Sequence, residues 1–436
     1  MTTLGEDATG HRMTELGPLP EEWRVLRLGE VVNLRKGTVH PSEAPNARYV
    51  ALENLVPGEI RIQRFGHAGA TRSAKAVFKE GDVLYGKLRP YLDKAAIAEW
   101  SGVCSTDILV LQPSEKTISI FLAYLMHTSF ILNHAIATTT GVNHPRTSWK
   151  ALSQAFIPLP PLPEQRAIAH VLRAVQRARE ATEGVIAALR ELKKSLMEYL
   201  FTYGPVPVDD TDGVELRETE VGLLPKHWRV ERLGEVVTIT RKPRYLPLPK
   251  KIAFIRMEHL PDDGTLYPVS IVWKSTKDIR SGVYCEGGDI LFAKITPSLE
   301  NGKQGLIPEE IPFAYATTEV CPLKVNNQVN KLFLFELLRS SWVRKHLASK
   351  MEGSTGRQRL AKQVLLNHPI PLPPLPEQRE IAHILQTVDR KIEAEEQGKA
   401  ALQTLFKTLL HDLMTARRRL PAEFVAQFEK ESEVTW

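Results

Sequence analysis

The chain has 436 residues, 43% hydrophobic and 25% charged, with a formal net charge of +6. That length exceeds one ordinary core and predicts two or three domains, and the absence of any apolar run of 18 or more residues excludes a membrane-spanning helix. The opening "MTTLGEDATGHRM" lacks the apolar centre of a signal peptide, so a cytoplasmic location is expected. Cys104, Cys285 and Cys321 have no metal-ligand spacing and read as reduced thiols. The positive balance, with a pI near 9.0, leans only mildly toward an anionic partner in a chain this long.

In chain order, a tail over 1–13 precedes a first globular module, 14–157, opening with "TELGPLPEEWRVLRLGEVV". Short alternating runs such as "DVLYGK" and "DILVLQP", broken by Gly, Pro and Asn, predict short strands with a few helices. The fold class is therefore α/β of the mixed α+β kind. At residue 157 begins "IPLPPLPEQRAIAHVL". Proline lacks a backbone N–H and breaks helix interiors, but is at home in the first helical turn. The segment reads as an extended, polyproline-like strap entering a helix at Pro163, with Glu164 where the helix dipole favours negative charge. Strap and helix occupy 158–204, the helix itself about 164–203, and a short polar linker follows over 205–218. A second module, 219–370, opens with "TEVGLLPKHWRVERLGEVV". The strap "IPLPPLPEQREIAHIL" then leads through Pro376 and Glu377 into a second long helix, the two spanning 371–420, before a tail over 421–436.

The chain is thus a tandem duplication. The openings of the two modules are offset by 205 residues, "EGDVLYGKLRPYLDK" and "GGDILFAKITPSLEN" by 207, and the straps by 213. Residues 157–166 and 370–379 agree at ten consecutive positions. Similarity is low between about 95 and 145 and their counterparts, which suggests one scaffold doing the same kind of work on two targets.

Counting in sevens from Ile168 gives Val175, Thr182, Leu189 and Leu196, and three residues further on stand Val171, Ala178, Val185, Leu192 and Tyr199. The second helix repeats the stripe with Ile381, Ile384, Val388, Leu402, Leu405 and Leu409, and is weakest near Glu395 and Gly398. This is a heptad seam, and forty residues make a rod of roughly 60 Å. Two such stripes in one chain bury most easily against each other. The expected architecture is two globular modules joined by two long antiparallel coiled-coil helices, with a pseudo-twofold internal repeat.

Candidate binding residues are the basic and polar side chains in the turns. "KLRPYLDK" offers Lys87, Arg89, Tyr91 and Lys94, and its counterpart offers Lys294, Thr296, Ser298, Asn301 and Lys303. "TTTGVNHPR" (138–146) and "EGSTGRQR" (352–359) add Asn143, Arg146, Arg357, Gln358 and Arg359. Lys and Arg neutralise phosphates, and Asn and Arg can read base edges in bidentate fashion. The two copies differ at these polar positions while keeping the apolar ones. The plain alternative for each is an exposed turn residue. "GDVLYGK" has the glycine–lysine spacing of a phosphate loop, but Leu88 stands where Ser or Thr should be and the run reads as a strand. Glu191 and Lys193 have a nuclease-like spacing but read as solvated charge on the rod's polar face. No histidine cluster has ligand spacing; His170 and His383 belong to the repeated helix start. Arg417–Arg419 suit a helix C-terminus, where cations are favoured. Neither a catalytic group nor a metal site emerges.

The doubled "TE.G..P..W…LG.VV", "GD.L..K..P" and "IPLPPLPEQR.IAH.L" running into a long helix resembles the DNA-specificity subunit of type I restriction-modification enzymes, over about residues 14–415. The resemblance implies that each module is a target-recognition domain reading half of a bipartite double-stranded DNA site. The helix pair would be the spacer. Two methyltransferase subunits would dock on the assembly and bring S-adenosylmethionine, this chain binding no cofactor of its own, and restriction/translocase subunits could join them. Half-sites about one helical turn apart are expected. The competing reading is a coiled-coil interaction adaptor whose straps serve polyproline-reading domains. A lone enzyme with divergent motifs is a further one.

Overall fold

A computed structural model describes residues 11–354 and 356–429; residues 1–10, Thr355 and 430–436 lie outside it, so both predicted tails are covered only in part. The chain divides into two compact units, 11–181 with 399–429, and 182–398. Among the described residues no single helix is long and apolar enough to cross a membrane.

The first unit opens with a hairpin, His11–Thr14 against Gly17–Pro20, whose turn needs Gly17 at φ +100°. A four-stranded antiparallel sheet places Val83–Gly86 between Ala95–Ile97 and Ile108–Pro113, with Val32–Leu34 at the far edge. A five-stranded sheet contains one parallel pair, Gly102–Cys104 beside Arg48–Val50. Helices Ser119–Leu125 and Ser129–Ala137 complete the core. The second unit repeats this plan. Its hairpin turns at Gly222 (φ +105°), its first sheet holds Ile290–Ala293 between Gln304–Leu306 and Val320–Val325, and Lys251–Ile255 runs parallel to Phe313–Ala316 in its second. All three cysteines are buried and free, and burial pushes the Cys104 thiol up to about 12.

The long helices are α1 (Leu162–Tyr203) and α2 (Leu375–Met414). Each starts one residue ahead of the proline expected to open it. Within the first unit Ile168, Ala169 and Leu172 of α1 share a core with Phe406, Leu413 and Met414 of α2. Within the second, Leu200 and Phe201 of α1 meet Ile381, Ala382 and Leu385 of α2. The start of one helix therefore meets the end of the other, so they run antiparallel, as expected.

Three expectations are corrected. The straps are paired β-strands rather than free polyproline-like segments: Phe156–Leu159 pairs antiparallel with Arg24–Arg27, and Pro369–Leu372 with Arg229–Arg232. Prolines fit because these are isolated two-stranded ladders that spare one side of the strand. Ile157 and Ile370 are fully buried, which removes the straps from any external polyproline reader. The repeated motif is a bracket. Trp23 Nε1 and Trp228 Nε1 donate to Glu164 and Glu377, each at 2.8 Å, and Gln165 Nε2 and Gln378 Nε2 return to Pro160 and Pro373 carbonyls at 2.9 and 2.8 Å.

The seam lies one residue off its second expected row. Val185, Leu192 and Leu405 are exposed, and Ala178 too, whereas Leu172, Ile186, Lys193 and Leu200 are buried. In α2 the fully buried row is Leu385, Ile392, Phe406 and Leu413, with Ile384 half-buried against the core and Leu405 exposed. Polar members, Gln165 and Lys193 among them, hid this row from a search for apolar repeats. Lys193 is the third correction. It is buried rather than solvated, held 2.9 Å from Glu336 and 2.5 Å from Asp389.

Candidate nucleic-acid interface

In the first unit the two candidate loops lie side by side at one end of the four-stranded sheet. Leu88 bridges Arg146, Arg89 N–H donates to the Pro145 carbonyl at 2.8 Å, and Thr147 N–H donates to that of Lys87 at 3.0 Å. Lys87 N–H in turn donates to the Asp107 carbonyl at 3.0 Å. The Arg146 guanidinium spans both Asp107 carboxylate oxygens at 2.9 and 3.3 Å and holds that carboxyl below the usual range. Arg89 and Asp93 adopt left-handed conformations, φ +52° and +51°, which are rare for non-glycine residues and store strain. Buried His127 fixes this turn, its Nδ1 2.8 Å from Asp93 Oδ1 and its Nε2 3.0 Å from the Ala95 carbonyl.

The second unit rebuilds the arrangement from different residues. Ile295 bridges Arg359, Leu360 N–H donates to the Lys294 carbonyl at 2.8 Å, and Lys294 N–H to that of Glu319 at 3.0 Å. Arg359 spans the Glu319 carboxylate at 2.9 and 2.8 Å and lowers its pKa. Thr296 N–H donates to the Gln358 carbonyl at 3.1 Å, and Gln358 N–H to Thr296 Oγ1 at 3.0 Å. Buried Arg344 supports the following turn, donating to the Leu299 and Gly302 carbonyls at 3.2 and 3.4 Å. Each unit thus presents two clasped loops with an arginine pinned on a carboxylate at the same sheet end. An arginine held in one orientation keeps donors free toward solvent.

The family model for the type I restriction modification DNA specificity domain matches this chain twice, over 20–191 and 225–404. The chain belongs to that family. The MjaVIII specificity subunit of Methanocaldococcus jannaschii is 26% identical over 429 residues, covering 92% of this chain and 94% of that protein. The EcoAI specificity subunit of Escherichia coli is 31% identical over 199 residues, covering 44% of this chain and 33% of that one. Of solved structures, one from work on assembly and conformational transition of the type I R-M system aligns with TM-score 0.58 at 22% identity, over 91% of this chain and 98% of its own. The type I restriction-modification S subunit of M. genitalium aligns with TM-score 0.55 at 16% identity, over 90% and 96%. These two show the fold. The chain acts in DNA sequence specificity within a type I restriction-modification system.

Within this specificity subunit the candidate residues sort into two groups. Arg89, Tyr91, Asn143, Arg146, Asn301, Arg357 and Arg359 are exposed, and Lys87, Lys294, Thr296 and Gln358 half-buried, on the clasped loops. Three others face inward. Lys94 Nζ donates to the Leu52 carbonyl at 2.7 Å and Lys303 Nζ to that of Leu260 at 3.2 Å, so both fasten a neighbouring loop. Ser298 is buried.

A further basic segment lies outside the candidates drawn from the repeats. "RKPRYLPLPKK", 241–251, carries Arg241, Lys242, Arg244, Lys250 and Lys251, all exposed, with Tyr245 89% exposed. Thr240 N–H donates to the Pro322 carbonyl at 3.0 Å, so the segment leaves the sheet beside Cys321. Ala293 pairs with Val320 at that same end. Its signal in the sequence is charge density, five cations in eleven residues. Comparison of the repeats obscures it, because the first unit's counterpart, "KGTVHPSEAPNA" (36–47), is nearly neutral and shares no motif with it.

Proposed function

We propose that each unit reads one half of a bipartite duplex site through its clasped loops, and that α1 with α2 fixes the spacing between the half-sites. The target-recognition domains are residues 14–157 and 219–370. The observation that carries this reading is the arginine–carboxylate clasp built twice, Arg146 on Asp107 and Arg359 on Glu319, at matching places with divergent neighbours. Arg89, Tyr91, Asn143 and Arg146 address one half-site; Asn301, Arg357 and Arg359 address the other. Lys87, Lys294, Thr296 and Gln358 set the loops, and Lys94, Lys303 and Ser298 support them from beneath. The basic segment 241–251 tracks phosphates beside the second half-site, which gives that half more of its affinity through counterion release.

Two methyltransferase subunits dock on the helices and bring S-adenosylmethionine, and a restriction/translocase subunit adds cleavage. This chain contributes recognition without a catalytic group, in the cytoplasm. The test is selection of a randomised duplex library by the assembled complex. Asn143→Ala should relax one half of the selected motif and Arg357→Ala the other. Relaxation of both halves by either substitution would overturn the assignment.

A further inference from the structure

The two units fill one structural position with opposite chemistry. Thr128 and Ser340 precede equivalent helices, which makes Tyr124 and Glu336 equivalent, and likewise His127 and Arg339. At the 213-residue offset of the long helices, Gln176 corresponds to Asp389 and Lys193 to Phe406. In the first unit the group is neutral. Tyr124 OH donates to Gln176 Oε1 at 2.9 Å, and Phe406 packs its ring 5.9 Å from that of Tyr124. In the second it is ionic. Lys193 lies 2.9 Å from Glu336 and 2.5 Å from Asp389, and Arg339 stands 3.5 Å from Glu336. Glu336 is fully buried and Lys193 nearly so.

Each group takes one member from α1, one from α2 and the rest from its own unit, so it reports which helix half has been accepted. Consider two copies of the chain pairing like repeat with like. The first repeat would offer Lys193 where Phe406 belongs, placing an ammonium beside Tyr124, Gln176 and Arg179 in a pocket that Glu59 and Asp93 also line, their carboxylates already engaged by Arg179 and His127. The second would offer Phe406 where Lys193 belongs, leaving Glu336 and Asp389 with Arg339 alone. Asp389 is already pushed up to about 6 by burial and then by the charge of Glu336, with Lys193 opposing. Two buried carboxylates that lose their ammonium are strongly unfavourable, and a single buried polar residue is known to select pairing partners in coiled coils.

We propose that these two groups form a pairing key: each unit accepts the helix half of the unlike repeat and rejects that of a like repeat from a second copy of this chain. The key directs α1 and α2 of one polypeptide onto each other.

A full-length chain carrying a protease sequence between Asp212 and Gly213, in the exposed linker, tests this. The folded protein is cut, unfolded in urea, refolded, and its pairs counted by native mass spectrometry. The unaltered key should give unlike pairs, with like pairs at least about a hundredfold below the random proportion. Writing the neutral group into both units, with Lys193→Phe, Glu336→Tyr, Arg339→His and Asp389→Gln, should restore a random mixture. So should the reverse set, Phe406→Lys, Tyr124→Glu, His127→Arg and Gln176→Asp, which carries the test if the first set fails to refold. Random pairing with the unaltered key, or unlike pairs alone in whichever variant refolds, would overturn the proposal.

Discussion

Removing the carboxylate of Glu164 tests why the strap motif is repeated. Glu164 is only 4% exposed and accepts from Trp23 Nε1 at 2.8 Å and from Arg419 Nε and Nη2 at 3.0 and 3.1 Å. Leucine in its place leaves the indole N–H of Trp23 buried without an acceptor, which costs about 1–3 kcal/mol. Arg419 is more exposed, 38% by side chain, and keeps Glu22 at 2.8 Å, so removal of its pair with Glu164 adds no more than about 1 kcal/mol. Glu164→Leu should therefore destabilise the chain by about 1–4 kcal/mol. Glu164→Gln, which still accepts from the indole, should cost about 1 kcal/mol. Urea unfolding followed by tryptophan fluorescence measures both. Equal losses in the two variants, or a loss below about 0.5 kcal/mol with leucine, would refute the bracket.

Other consequences follow from the same packing. Leu192→Glu, on the exposed side of α1, should change stability by less than about 0.5 kcal/mol, whereas Ile186→Glu on the buried row should cost about 3 kcal/mol or more, in the same unfolding assay. His368 is buried against Trp342 and His346, and desolvation first, then His346, Lys350 and Arg232, lowers it to about 4 from 6.5. The unfolded chain binds this proton at higher pH than the folded one, so stability is fully present above pH 6.5 and lost as pH falls toward 4, by about 3 kcal/mol at most. His368→Phe should flatten that part of the stability–pH curve, and an unchanged slope would contradict the assignment. Replacing Arg241, Lys242 and Arg244 with alanine should weaken DNA binding across sequences and lower the salt-dependence slope by about 0.9 for each phosphate no longer neutralised. A changed base preference would instead make the segment a reader.

The duplication was legible because strand starts, glycine turns and helix entries are local, and local chemistry recurs in both copies. The rods were legible because some forty residues with no proline beyond the entry turn admit few alternatives. Their seam was half legible. Heptad counting assumes apolar rows, and here Gln165 and Lys193 occupy the buried row with partners supplied by segments distant in sequence, Lys116 and Ile118 for the one and Glu336 for the other. The straps illustrate the same limit. Four prolines suggest polyproline, and only the tertiary partner, Arg24–Arg27, makes the run a strand. Among the candidate binding residues, Lys94 and Lys303 were indistinguishable by sequence from exposed lysines, since the carbonyls that accept their hydrogen bonds, those of Leu52 and Leu260, lie far upstream.

Exchange of a recognition module addresses the central claim most directly. Residues 14–157 are replaced by the corresponding module of a relative with a different target, and the complex's selected DNA motif is read from a randomised library. A new sequence in one half, with the other half and the gap between them retained, is the predicted result. Alteration of both halves, or of neither, would contradict it.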